Sequence, residues 1–283
     1  MKLVTFHTKR GLRVGAIKGR DIVDLTGAGV AKTMLALIAG GKDALKEARE
    51  VLKNAKAPRV PFGDTRIAPP IPRPGKILCS GINYKGHADE NPNAKMPTEP
   101  FFFAKLPNTV IGHEDVIPYP KQTRQLDYEV EFTAVIGKPL TGAVESDIMP
   151  AIFGYTLLHD VSARDVQFKD NQITLGKNFN GFCPLGPCIV TADEMKEPGD
   201  IRLRTRLNGE TMQDGTTADW LFPLPRLISF LSNVMSLEPG DCISTGTPAG
   251  IGLFRKPPLF MKPGDIVEIE AEGIGVLRNT VGA

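Results

Sequence analysis

The chain has 283 residues, and its 34 Lys and Arg side chains nearly balance 32 Asp and Glu side chains, for a formal net charge of +2. Such a balance argues against nucleic acid as a partner, because nucleic-acid-binding proteins normally concentrate basic residues into one patch. Hydrophobic residues make up 41% of the chain, and no apolar run approaches the roughly 20 residues that a membrane span needs. These features predict a globular protein that does not cross a membrane.

The first residues, Met1 to His7, carry one charge and no apolar core, so they do not resemble a signal peptide. A cytosolic location is therefore expected. The four cysteines form no C-x-x-C pair, which predicts free and mostly buried thiols. They are Cys79, Cys183, Cys188 and Cys242.

The N-terminal part alternates short Val- and Ile-rich segments with turn signals, which predicts strands over 2–8, 12–18 and 21–25. Apolar residues at helical spacing then predict helices over 33–38 and 42–53. We therefore predict a small N-terminal α+β domain over residues 1–57.

A proline-rich stretch follows, with six prolines between positions 58 and 74. Proline disrupts helix interiors and central strands, so residues 58–74 are interpreted as a linker and 75–283 as the second, larger domain. Within that domain, residues 201–207 alternate apolar and polar side chains and meet Asn208-Gly209, which predicts a β-hairpin.

Three carboxylates stand at positions where strands could bring them together. Residues 127–136 alternate with a period of two, which places Glu129 and Glu131 on one strand face. The apolar run 152–158 is typical of a strand buried on both faces, and it leads into Asp160. A solvated strand face for the two glutamates, and a helix N-cap for Asp160, are the simpler alternatives. If the three converge, they form a hard oxygen site suited to Mg²⁺ or Mn²⁺.

Taken in order, several motifs resemble those of the fumarylacetoacetate hydrolase family, whose members are metal-dependent enzymes of 2-oxo and diketo acids. The similarity runs from about Ile77 to the C-terminus and resides in GINYKGHADE (81–90), DYEVE (127–131), HDVSARDVQ (159–167), FCPLGP (182–187), NGE (208–210), LEPGD (237–241) and TGTP (245–248). The chain is most similar to the small two-domain members, among them acylpyruvate and fumarylpyruvate hydrolases and 2-hydroxyhepta-2,4-diene-1,7-dioate isomerases.

The resemblance implies a mixed α/β, predominantly β fold, with a β-roll or β-sandwich core, a small N-terminal α+β domain and a homodimer. It implies that Glu129, Glu131 and Asp160 bind a divalent metal, Mg²⁺ or Mn²⁺, with Ca²⁺ as an alternative. The larger fumarylacetoacetases carry a further metal-binding Asp where this chain reads Cys79-Ser80-Gly81. A set of three carboxylates is therefore expected.

The resemblance also assigns the remaining site residues. His87 and Glu90 are three positions apart and share a face on a helical turn, where the carboxylate can orient the imidazole as a general base. A solvated surface pair is the alternative. Lys177 is expected to stabilise an enolate, and the residues expected to contact substrate are Arg164, Gln167, Thr247 and Lys105.

The expected reaction is hydrolysis of a C–C bond in a diketo acid, with release of pyruvate as its enolate. An oxaloacetate-type decarboxylase, a 2-hydroxy-dienoate isomerase and a binding protein without turnover are the alternatives. Residues 91–100 are polar and proline-rich, as active-site lids often are, and are expected to be mobile without ligand.

Overall fold

A computed structural model of the chain describes residues 1–90, 96–169, 173–195 and 197–283. Strands predominate in it, as expected for a mixed, mainly β protein. The strands are β1 Lys2–Thr8, β2 Gly11–Lys18, β3 Asp21–Asp24, β4 Arg59–Pro61, β5 Ile67–Ala68, β6 Ile77–Ser80, β7 Phe102–Lys105, β8 Val110–Ile111, β9 Val116–Ile117, β10 Leu126–Asp127, β11 Val130–Ile136, β12 Ile152–His159, β13 Ser162–Ala163, β14 Cys183–Thr191, β15 Arg202–Leu207, β16 Glu210–Thr216, β17 Cys242–Ser244, β18 Ile266–Ala271 and β19 Gly275–Val281.

The α-helices are short and lie between or beside the strands. They are α1 Met34–Ala39, α2 Gly41–Lys53, α3 Lys85–Glu90, α4 Glu145–Ile148, α5 Arg164–Gln167, α6 Ile173–Lys177 and α7 Leu224–Ser232. Single 3₁₀ turns occupy Pro107–Thr109, Met149–Ala151, Thr217–Asp219 and Gly252–Phe254. Within the described ranges, no helix has the length and apolar character needed to span a bilayer.

The largest sheet has twelve strands, which come from both the N-terminal region and the predicted larger domain. Its order is β4-β3-β2-β1-β14-β12-β11-β17-β6-β7, with β5 pairing with β1 and β8 with β14. The N-terminal strands therefore continue the central sheet through the antiparallel pairing of β1 and β14. The stretch interpreted as a linker, 58–74, contains β4 and β5, which pair with β3 and β1. The division into domains stays a prediction.

A five-stranded sheet in the order β16-β15-β18-β19-β9 packs beside the large sheet. Its hairpin forms where Asn208-Gly209 predicted one, because both residues take the positive φ angles, 52° and 86°, that a two-residue hairpin turn demands. Its inward side chains, such as Leu203 and Ile269, belong to the same buried cluster as Phe132 of β11. One continuous core therefore joins the two sheets.

The centre of the molecule is the antiparallel pair β11 and β12. Every residue of both strands is buried, as the apolar run 152–158 predicted. The rings of Phe132 and Tyr155 stack with centroids 5.1 Å apart. A strand pair enclosed on both faces is rigid, so the residues at its end are held in fixed positions.

The four cysteines are free and buried, as expected. Burial raises the pKa of every one of these thiols, that of Cys183 to about 12 and that of Cys188 to about 11. We expect an aromatic disulfide reagent to modify none of them in the folded protein and all four after denaturation, since only an accessible thiolate reacts. Rapid modification of any thiol under native conditions would contradict the packing described here.

Candidate active site

The register of β11 and β12 brings the three carboxylates together. Val130 pairs with His159 and Glu131 with Leu158, and the Asp160 N–H donates to the Glu129 carbonyl at 3.0 Å, which extends the ladder by one residue. Asp160 thus lies directly across from Glu129. Because side chains alternate along a strand, Glu131 projects from the same face. The alternative of a solvated strand face for the two glutamates is excluded, since Glu129 is 5% exposed and Glu131 is 1% exposed.

Buried cations compensate two of the three carboxylates. Lys177 Nζ donates to Glu129 at 2.9 Å and to Asp160 at 2.5 Å, and Arg164 Nη2 donates to Glu129 at 2.5 Å. Lys105 Nζ donates to the other oxygen of Asp160. Asp160 does not cap a helix: Ala163 is the N-cap of α5, and no side chain bonds there.

Burial and charge act in opposite directions on these groups. Burial would raise the pKa of Glu129, but Lys177 and Arg164 outweigh burial and lower it below its usual range. Burial would likewise lower the pKa of Lys177, yet the carboxylates of Asp160 and Glu129 raise it. Glu129 therefore stays ionised and Lys177 stays an ammonium at neutral pH.

Glu131 is the carboxylate of the three with which no cation among the described residues forms an ion pair. Burial raises its pKa well above the usual range, and the neighbouring charges of Asp160 and Glu129 add to the effect. One of its carboxylate oxygens is buried and has no hydrogen-bond partner among the described residues. Buried polar atoms are rarely left unpaired, so this oxygen indicates a missing partner.

A divalent cation fits this arrangement. Glu129, Glu131 and Asp160 can each offer one carboxylate oxygen, and these oxygens lie within 4.8 Å of one another. Oxygen donors without sulfur or imidazole suit a hard cation such as Mg²⁺ or Mn²⁺. The added charge would stabilise the ionised form of Glu131, with which no basic side chain of the described residues forms an ion pair.

His87 and Glu90 form the expected pair on α3. His87 Nδ1 lies 3.1 Å from Glu90 Oε2, and the other oxygen of Glu90 accepts from the Gly250 N–H at 2.7 Å. Glu90 is thereby fixed from two sides. The imidazole of His159, which precedes Asp160 in the chain, is a poor base, because burial lowers its pKa to about 3.

Helices α5 and α6 bring the substrate-binding candidates to the carboxylates. Arg164 Nη1 donates to Gln167 Oε1 at 3.1 Å on α5. A Cβ on Gly176 would lie 2.6 Å from Cβ of Gln167, so only glycine lets α6 approach α5 this closely. Lys177, the next residue, reaches Glu129 and Asp160 for this reason.

A cavity of about 110 Å³ opens over the carboxylates. Seven of the predicted site residues line it: His87, Glu129, Glu131, Arg164, Gln167, Lys177 and Thr247. Asp160 lies beneath them, and Lys105 lies behind Asp160, fully buried and outside the lining of the cavity. Apolar side chains that were not predicted as site residues complete the cavity wall, among them Ile82, Phe101, Phe103 and Ile173.

Asp127 is a supporting residue that sequence reasoning did not assign, although it begins the DYEVE motif. Its carboxylate accepts from Arg164 Nε at 2.9 Å and from the N–H groups of Tyr128, Gly252 and Leu253 at 2.7–3.0 Å. It orients Arg164 and fixes the turn that follows Thr247. The predicted lid, 91–100, includes residues 91–95, which lie outside the described residues.

Residues 76–282 match the family model described as "Fumarylacetoacetate (FAA) hydrolase C-terminal". The match covers more than half of the chain, so the protein belongs to the fumarylacetoacetate hydrolase family. The chain is 39% identical to oxaloacetate tautomerase Fahd2a, mitochondrial, of Rattus norvegicus over 99% of this chain and 91% of that one.

Solved structures support the same assignment and confirm the predicted fold class. A fumarylacetoacetate hydrolase from Exiguobacterium antarcticum superposes with a TM-score of 0.87 at 34% identity, covering 100% and 99% of the two chains. Maleylpyruvate hydrolase from Sphingobium sp. SYK-6, in complex with manganese(II) and pyruvate, gives 0.83 at 29% identity, covering 100% and 99%.

The prediction of a cytosolic location is wrong on these comparisons, because relatives that match 99% of this chain are named as mitochondrial proteins. The prediction rested only on first residues that do not resemble a secretory signal peptide, and such residues say nothing about import into an organelle. The predicted homodimer is not tested by any contact described here and stays a prediction.

Replacing Glu131 by Gln should have two opposite effects. In chelator, native Glu131 must either bury a charge or take up a proton at neutral pH, because its pKa is raised. The neutral amide does neither, so we expect the free energy of unfolding at neutral pH to rise by roughly 1–3 kcal/mol. Added Mn²⁺ should no longer raise the melting temperature, because a ligand is lost. Thermal unfolding with and without Mn²⁺ measures both effects.

Glu47→Gln, the same change on an exposed residue of α2, is the matched control and should behave like the wild type. A Glu131→Gln protein that Mn²⁺ stabilises as much as the wild type would argue against a metal site at these carboxylates.

Proposed function

We propose that this protein is a divalent-metal-dependent enzyme that interconverts the keto and enol forms of oxaloacetate or a closely related 2-oxo dicarboxylic acid. The observation that carries the proposal is the His87–Glu90 pair, whose imidazole lines the same cavity as Glu129, Glu131, Arg164 and Lys177. The relatives named as oxaloacetate tautomerases, 39% identical over 99% of the chain, support this choice of reaction.

The cavity favours a compact acid. Its volume of about 110 Å³ is well below the roughly 300–1,000 Å³ typical of sites for drug-sized ligands. Arg164, Gln167, Lys177 and Thr247 supply cationic and hydrogen-bonding groups within that small space. Because these polar groups lie close together, they suit a short substrate with carboxylates at both ends.

Tautomerisation moves one proton between C3 and the 2-oxo oxygen, so one base can take the proton from C3 and deliver it to that oxygen. Glu90 is an acceptor for the hydrogen on His87 Nδ1, so the lone pair of the imidazole is on Nε2. The second bond of Glu90, to Gly250, keeps this carboxylate in place while the imidazole gains and loses a proton. Glu90 also stabilises the imidazolium that forms during the transfer.

Negative charge develops on the 2-oxo oxygen as the C3 proton leaves. Lys177 is a buried ammonium in the cavity and can stabilise this charge, and Arg164 can bind a substrate carboxylate. A divalent ion held by Glu129, Glu131 and Asp160 would supply further Lewis-acid stabilisation of that oxygen.

Hydrolysis of a small acylpyruvate is the second candidate. The structure of maleylpyruvate hydrolase with manganese(II) and pyruvate, 29% identical to this chain, favours it. The same His87–Glu90 pair would then activate a water for attack on the distal carbonyl. A binding protein without turnover is less favoured, since the base pair and all three acidic residues are present together.

We expect His87→Asn to lower kcat for oxaloacetate tautomerisation by roughly 10²-fold or more, because a positioned general base contributes about that factor. The change in ultraviolet absorbance between the enol and keto forms measures the rate. His7→Asn, on an exposed histidine of β1, should leave it unchanged. A His87→Asn protein with wild-type kcat would exclude the imidazole as the base.

The two candidate reactions differ in their products. We expect the protein to equilibrate oxaloacetate tautomers faster than it releases pyruvate from acetylpyruvate, with kcat/KM for acylpyruvates falling as the acyl chain grows, because the cavity is small. Coupled oxidation of NADH by lactate dehydrogenase measures the pyruvate. Rapid cleavage of long acylpyruvates, without tautomerase activity, would favour the hydrolase.

A further inference from the structure

Gln213 of β16 reaches from the five-stranded sheet into the wall of the active site. It is buried, and its side-chain amide makes four hydrogen bonds. Its Oε1 accepts from the Val130 N–H at 3.0 Å and from the Thr205 hydroxyl at 2.7 Å. Its Nε2 lies 2.8 Å from both Thr247 Oγ1 and the Pro248 carbonyl.

These partners leave one orientation for the amide. A backbone N–H can only donate and a backbone carbonyl can only accept. Val130 therefore requires the amide oxygen on its side, and Pro248 requires the NH₂ group on the other. Both lone pairs of Oε1 and both hydrogens of Nε2 are used, so Gln213 has no spare capacity and cannot flip without breaking bonds.

The hydroxyl of Thr247 takes its direction from this arrangement. Thr247 Oγ1 must accept the second N–H of Gln213, which leaves the hydroxyl hydrogen available to another acceptor. Outside the cavity that Thr247 lines, the described residues provide no acceptor for this hydroxyl hydrogen. The Thr247 hydroxyl can therefore donate a hydrogen bond to an acceptor within the substrate site.

We infer that Gln213 is a positioning residue that makes Thr247 an obligatory hydrogen-bond donor to a carboxylate or carbonyl oxygen of the substrate. The inference rests on the proposed function for the identity of that substrate. Gln213 does not line the cavity and acts through Thr247. The donor favours a deprotonated oxygen at this point of the site.

Gln213→Glu tests the inference, because a carboxylate of the same shape accepts the Thr247 hydrogen instead of donating to its oxygen. The substrate oxygen would then lose its hydrogen-bond donor and face a lone pair of the Thr247 hydroxyl instead. For oxaloacetate we expect KM to rise by roughly tenfold or more, the effect of losing a hydrogen bond to a charged group. The value of kcat should change much less, since none of the four hydrogen bonds of Gln213 is made to His87, to Glu90 or to a carboxylate of the acidic site.

Binding is measured separately by calorimetry with 3,3-difluorooxaloacetate, which keeps both carboxylates but has no C3 hydrogen to lose. Gln213→Glu should weaken its binding by a similar factor in the wild-type background. In a Thr247→Val background, Gln213→Glu should have less than about a twofold further effect, because the hydroxyl on which it acts is gone. Thr247→Ser, which keeps the hydroxyl, should lose less affinity than Thr247→Val.

Equal losses of affinity from Gln213→Glu with and without the Thr247 hydroxyl would overturn the inference and reduce Gln213 to a packing role. So would unchanged binding in Gln213→Glu. Gln213→Met, which has no charge, repeats the cycle if the buried carboxylate impairs folding. Gln122→Glu, on an exposed side chain, is the matched control and should bind the analogue like the wild type.

The two proposals fail in different ways. If the wild type binds the analogue but does not interconvert oxaloacetate tautomers, the proposed function fails, while the calorimetric cycle still decides the role of Gln213. If tautomerisation proceeds and the cycle shows no coupling between Gln213 and Thr247, the inference alone fails.

Discussion

The site depends on one pairing, that of β11 with β12. Their register places Asp160 across from Glu129, with Glu131 on the same face, at the end of a strand pair that is buried on both sides. Three carboxylates in so dry a place would repel one another strongly. Lys105, Lys177 and Arg164 offset much of that repulsion at Glu129 and Asp160. No cation bonds to Glu131 among the described residues, and a divalent cation would favour its ionised form.

Each of the other parts is brought to this centre by a different element. Helix α3 supplies the His87–Glu90 pair, α5 and α6 supply Arg164 and Lys177, and the five-stranded sheet reaches Thr247 through Gln213. The carboxylates of Glu90 and Asp127 accept from the N–H groups of Gly250, Gly252 and Leu253 in one turn, so the partner of His87 and that of Arg164 share one support. Buried networks whose donors and acceptors are all satisfied give a site its precision.

Relatives of this chain are named for tautomerase and hydrolase reactions, and the described geometry suggests why one arrangement serves several. A metal ion bound at the acidic site would, together with the buried ammonium of Lys177, stabilise an enolate however it is formed. What differs between reactions is the room left for a water or for the rest of the substrate. In this protein that room is set by side chains such as Phe101 and Ile173, which line the cavity.

Local pattern in the sequence determined several strands, the hairpin at Asn208-Gly209 and the face shared by Glu129 and Glu131, because those features depend on neighbours along the chain. Motif order was enough to indicate the family and most residues of the site. Tertiary structure alone decided that the N-terminal strands join the central sheet, that Lys105 lies behind Asp160, and that Asp127 and Gln213 support the site. These depend on contacts between residues far apart in sequence, and neither spacing nor composition records which distant groups will meet.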